Sequence, residues 1–161
     1  MDREQLAARI GSRYVRNSMF VGTGLVALIF LLISEGKPEA LLDLLKDWPA
    51  QAFICVVIGP LIGHFAGAWA GKKILLHRWN AWLVSPLLGF ACVWATTFVF
   101  SLVAYFDEGI YGSYPEEAVR DYILNPMLSV TIFGGLFILI TGLVMAGFFE
   151  RARRRHLSAR P

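Results

Sequence analysis

Two things are missing from this sequence. Paired cysteines are one, and charge over four long stretches is the other. Cys55 and Cys92 are the two cysteines, with no Cys-x-x-Cys, so no thiol redox centre or cysteine-rich metal site is expected. Cys55 falls near one end of its apolar stretch and Cys92 near the middle of the next. At about 1.5 Å per helical residue their depths differ by roughly 15 Å, whereas a disulfide needs Cα atoms within about 7 Å. Both are read as small packing residues.

The charge-free stretches are Ser18–Ser34, Gln51–Gly71, Ala81–Phe106 and Pro126–Phe149. Without a carboxylate in any of them, intramembrane aspartyl proteolysis and export through a buried glutamate are both excluded. No glycine-rich nucleotide loop and no Ser-His-Asp constellation occurs. Haem held between helices wants two histidines at suitable depth, and only His64 lies deep in a stretch. The chain is therefore read as non-enzymatic, with no cofactor and no metal expected.

What is present is apolar surface. Hydrophobic residues make up 57% of the chain and charged ones 17%, against about half and about a quarter in soluble proteins. About 20 helical residues cross a hydrocarbon core of about 30 Å, which three of the four stretches reach. The first is shorter, and its polar flanks can snorkel to water. It follows a basic leader but lacks a small-x-small cleavage site, so it is read as a retained anchor. The apolar residues run continuously and do not alternate, which excludes a β-barrel.

Orientation follows from the basic residues. Arg3, Arg9, Arg13 and Arg16 precede the first stretch; Lys72, Lys73 and Arg78 fall between the second and third; Arg151, Arg153, Arg154, Arg155 and Arg160 follow the fourth. These are twelve of the fifteen basic residues, while nine of the twelve acids fall in the alternate connections. The positive-inside rule makes the basic side cytoplasmic. The expected fold is an all-α integral membrane protein: an antiparallel four-transmembrane-helix bundle with short amphipathic surface helices and both termini inside. It is one membrane domain over 1–161, with spans at about 18–34, 52–71, 83–106 and 127–149. Outer loops fall at 35–51 and 107–126, and cytoplasmic segments at 1–17, 72–82 and 150–161. Compact loops and this charge pattern fit the plasma membrane of a bacterium, its inner membrane. Trp48 and Tyr105 mark the outer boundary; Trp69, Trp79, Trp82 and Tyr14 mark the inner one. Trp94, mid-span, is read as packing.

Both outer loops carry helix signals. Pro38 suits a first helical turn, and Leu41, Leu42, Leu45 and Trp48 follow at helical spacing. Ser113 and Glu116 have capping-box spacing around Pro115, and Ala118, Val119, Tyr122 and Ile123 form a stripe that ends before Pro126. These helices either seal the bundle or present an acidic surface made of Asp107, Glu108, Glu116, Glu117 and Asp121. The leader can form an amphipathic helix through Leu6, Ile10 and Tyr14. In the tail, Arg151, Arg153, Arg154 and Arg155 form a cluster suited to lipid headgroups. It is short and has no interleaved aromatics, so nucleic acid is not an expected partner.

Gly59, Gly63, Gly67 and Gly71 recur at four-residue spacing along the second span. Within lipid, close backbone approach drives helix pairing, and small residues at this spacing provide the groove. The groove serves either a neighbouring helix of the same chain or a second protein or copy. Pro60 predicts a kink, and Pro86 falls in the first turn of its span. Gly142 and Ala146 form a weaker groove. His64 borders the glycines, and by counting lies level with Thr23, Thr97 and Thr141. Such a midplane layer would be internal hydrogen bonding or a polar path.

Small size, the glycine groove and the missing catalytic set point to a membrane subunit or accessory protein. It would act by helix contact with the bilayer, another membrane protein or a second copy of itself. The alternatives are a small oligomeric transporter or channel using His64, and a membrane immunity protein against a toxin.

Overall fold

A computed structural model describes residues 2–35, 37–47, 49–107 and 115–157. Its elements are helices: α1 (Arg3–Ile33), α2 (Pro38–Asp47), α3 (Pro49–Phe53), α4 (Gly59–Leu75), α5 (Ala81–Asp107), α6 (Pro115–Val119) and α7 (Asn125–Leu157). Two five-residue π-helical turns, Ile54–Ile58 and Arg120–Leu124, join α3 to α4 and α6 to α7. Among the described residues, three helical segments are long and apolar enough to cross a membrane: Ile54–Leu75, Ala81–Phe106 and Glu117–Arg155. The chain is thus a helical protein built for a membrane.

Both π turns answer the same local problem. A proline inside a helix lacks an N–H, and its ring crowds the carbonyl four residues back. For Pro60 and Pro126 that carbonyl belongs to Val56 and Tyr122, each inside a π turn. There the hydrogen bonds skip one residue further: Gly59 donates to the Ile54 carbonyl, and Asn125 to that of Arg120. The wider turn accommodates the ring without ending the helix. The stripe expected to stop before Pro126 accordingly runs on into α7. Pro86 sits one turn further in than its expected place, because α5 begins at Ala81.

The link between α4 and α5 is short. Leu76, His77 and Trp79 donate backbone N–H groups to the carbonyls of Lys72, Lys72 and Lys73 at 3.0, 3.4 and 3.1 Å. Arg78 takes a left-handed φ of 56° to close the turn. Asn80 caps α5, its Oδ1 accepting from the Trp82 N–H at 3.0 Å. Trp69 and Trp79 meet edge to face at 5.8 Å, with Lys73 Nζ 5.2 Å from the Trp79 ring. Helices α2 and α6 begin at Pro38 and Pro115, the first-turn positions the sequence predicts.

The helices pack chiefly as two antiparallel pairs, α1 with α4 and α5 with α7, with α4 and α5 in lesser contact. The core, made of Val15, Ala70, Ile74, Ala81, Leu88, Cys92, Met145, Ala146 and Phe149, gathers at the end nearest the α4–α5 turn, here called the basic end. Tyr14 closes it, stacked on Phe148 at 5.8 Å and edge-on to Phe149 at 5.7 Å. In the second pair, a Cβ on Gly142 would lie 2.5 Å from Pro86 Cα, and one on Gly89 3.2 Å from Ile138 Cγ2. Trp94, read as packing from the sequence, also bonds across this pair: its Nε1 donates to Thr131 Oγ1 at 3.0 Å.

Candidate functional site: a glycine seam and the basic groove beside it

Gly63, Gly67 and Gly71 of α4 face α1, Gly59 lies between α1 and α5, and the contact changes character along its length. A Cβ on Gly71 would strike the Ala7 carbonyl oxygen and lie 2.9 Å from Gly11 Cα. On Gly67 it would lie 2.6 Å from the Gly11 carbonyl oxygen and 2.7 Å from Val15 Cβ. On Gly63 it would meet a side chain, Met19 Cγ at 2.8 Å. On Gly59 it would meet only ordinary contacts, Thr96 Cγ2 at 3.4 Å and Met19 Cε at 3.5 Å. The seam is therefore backbone against backbone at the basic end and side chain against backbone at the other.

Ala7, Gly11, Val15 and Met19 form the facing stripe, each four residues on from the last. Gly11 reciprocates the groove, since its own Cβ would strike the Gly67 carbonyl oxygen and lie 2.7 Å from Gly71 Cα. Backbones this close permit Cα–H···O contacts as well as dense packing. Sequence reasoning did not single out Gly11, although Ala7-x-x-x-Gly11 is itself a small-residue pair. The leader is the first half of α1, level with the second half of α4.

That register decides the surroundings of His64. Arg9, Ser12, Arg13 and Arg16 lie at i, i+3, i+4 and i+7 on α1, so they share a face beside the stripe that meets α4. With His64 they line an open cavity of about 390 Å³. Ser12 is buried and donates to the Arg9 carbonyl at 3.1 Å. None of the three guanidiniums has a carboxylate or other hydrogen-bond acceptor as partner among the described residues. The nearby ion pairs are others: Lys72 with Glu4 at 3.4 Å and Arg153 with Glu150 at 2.9 Å.

His64 and the three threonines are not brought together. Thr23 donates to the Met19 carbonyl at 3.0 Å, and Thr141 to that of Phe137 at 2.8 Å. Met19 packs against Gly59 and Gly63, so Thr23, one turn beyond Met19, lies about 10 Å from His64 along the axis. Thr97 follows Thr96, which touches Gly59, whereas Thr141 precedes Gly142, which touches Pro86 nearer the basic end. Helical hydroxyls commonly bond back to their own backbone in this way.

Of the acidic outer residues, Glu117 and Asp121 are exposed, and Asp121 Oδ1 accepts from Arg120 Nε at 3.2 Å and from Asn125 Nδ2 at 3.1 Å. Ser113 and Glu108, and the side chains of Asp107 and Glu116, lie outside the described residues, as do Trp48 and the side chains of Leu41 and Leu45. In the tail Arg151, Arg154 and Arg155 are exposed, and Arg153 is half-buried by its bridge to Glu150. No family model, no curated protein and no solved structure matches this chain, so its own geometry carries its functional reading.

Proposed function

We propose that the chain is a four-span protein of a bacterial inner membrane, with both termini cytoplasmic, and that it serves as a non-enzymatic subunit or accessory protein acting by helix contact. The observation that carries this reading is the state of the two halves of α1. Its first half is consumed in the glycine seam, so that groove is not free for a partner. Its second half carries exposed residues among those described: Val21, Leu25, Leu28 and Leu32 are exposed, and Gly22 and Gly24 each have open space where a Cβ would project. Small residues flanked by exposed aliphatics are the surface a further transmembrane helix packs against.

The test is tagged purification from native membranes in mild detergent, comparing wild type with Gly22→Leu/Gly24→Leu. A stoichiometric second polypeptide, or a stable second copy, that is lost in the variant supports the reading. A lone species unchanged by the substitutions counts against it and returns weight to transport. Alkaline extraction and protease protection of an N-terminal tag check the span count and orientation. A protected N-terminal tag in right-side-out spheroplasts is the expected result.

A further inference from the structure

The three arginines of the groove pose an electrostatic problem. Like charges three or four residues apart on a helix repel, and Arg9, Arg13 and Arg16 have those spacings with no carboxylate partner among the described residues. The position of Arg16 makes the problem worse. Arg16 Cα would lie 3.6 Å from a Cβ on Gly63, which puts it level with a residue nine positions from Lys72 in the span. At the helical rise this is about 13 Å further from the basic end than the α4–α5 turn. Cations at that depth are costly unless they snorkel or meet an anion.

We propose that the arginine stripe of α1 and His64 of α4 form a binding site for the phosphate of an anionic lipid headgroup. This rests on the membrane reading above. Guanidiniums hold phosphate oxygens through paired N–H donors, and basic pockets between spanning helices on the cytoplasmic side take such headgroups. The cavity of about 390 Å³ is within the range of small-ligand sites.

The surface beyond the cavity changes in the direction that a lipid requires. One turn beyond Arg16 on the same face stands Phe20, and one turn beyond His64 stands Leu61; both are exposed. The polar end therefore suits a phosphate and the apolar end its acyl chains. A soluble anion would use the first and gain nothing from the second. The glycine seam holds the two halves together, since backbone contact at Gly11, Gly67 and Gly71 sets the α1 arginines beside α4.

The test uses the full chain in nanodiscs of phosphatidylcholine, alone or with phosphatidylglycerol. Retained lipid is counted by native mass spectrometry and thermal stability is read alongside. Wild type is expected to retain phosphatidylglycerol and to melt higher in its presence. Arg9→Gln/Arg13→Gln/Arg16→Gln is expected to lose about a hundredfold in that affinity, and Arg13→Gln alone, a milder change to the fold, about fivefold. Lys37→Gln/Lys46→Gln/Arg120→Gln, which removes the same charge from cations already paired with Glu35, Asp43 and Asp121, is expected to keep it. Equal retention by the stripe variants, or equal loss in this control, overturns the proposal. Inorganic phosphate at millimolar level in pure phosphatidylcholine discs gives the third arm. If it protects wild type as well as the lipid does, the ligand is a soluble anion and the lipid assignment falls. Failure of the chain to enter the discs instead overturns the membrane reading, a result distinct from entry without lipid preference.

Discussion

Replacing Gly67 by alanine tests the seam at its close approach to Gly11 and Val15. The new methyl carbon would lie 2.6 Å from the Gly11 carbonyl oxygen and 2.7 Å from Val15 Cβ. A comfortable carbon–oxygen approach is about 3.3 Å, so α1 and α4 must part by about 0.7 Å. The obstructing oxygen belongs to the backbone of a continuous helix and has no rotamer to escape into. Overpacking of this kind costs about 1–3 kcal/mol. Alanine also gains about 1 kcal/mol over glycine in any helix, which would blur a single measurement. Gly24→Ala removes the ambiguity, because nothing lies within 4 Å of that position and it reports propensity alone. The expected difference between the two variants is therefore about 1–3 kcal/mol, with Gly67→Ala the less stable. Reversible unfolding in mixed micelles with rising dodecyl sulfate, followed by tryptophan fluorescence, reads it directly. Gly22→Ala, likewise with nothing within 4 Å, is expected to behave like Gly24→Ala. If Gly67→Ala and Gly24→Ala shift the midpoint equally, the helices are not in backbone contact and the seam is refuted.

Two other contacts yield to simpler substitutions. Trp94→Phe removes the donor to Thr131 and is expected to cost about 0.6 kcal/mol, the average for a hydrogen bond between helices in lipid. A double-mutant cycle with Thr131→Val checks that the loss belongs to this pair. Asn80→Ala strips the cap from α5 and is expected to lower stability by about 1 kcal/mol, while Asn80→Asp, which keeps the accepting oxygen, is expected to retain most of it in the same unfolding assay.

Residue periodicity made some features legible and hid others. Charge-free stretches predict long helices, because nothing but a helix satisfies its own backbone in lipid. Pro38 and Pro115 open helices because a first-turn N–H has no partner to lose. Pro60 and Pro126 were harder. Proline chemistry forecasts a kink or an end, and whether a π turn absorbs the ring instead depends on hydrogen-bond register that composition does not encode. The glycines of α4 announced a seam, but its occupant was hidden by the basic residues of the leader. Arg9, Arg13 and Arg16 read as water-exposed topology signals and drew attention away from Ala7 and Gly11 between and before them. His64 was legible as an isolated polar group. Its neighbours were not, since depth counted along separate spans ignores how far one helix is shifted against the next.

The uneven seam also determines which way α1 is able to move. At Ala7 and Gly11 the helices are locked backbone to backbone, while around Met19 and Gly59 flexible side chains fill the space. A slide by one turn would carry Val15 to the place of Gly11, against Gly71, where even a methyl carbon has no room. Translation is therefore blocked and rotation about the narrow end is left. The first helix is a lever pivoted at its base, and whatever seizes its free arm pulls on the arginines beside the fulcrum.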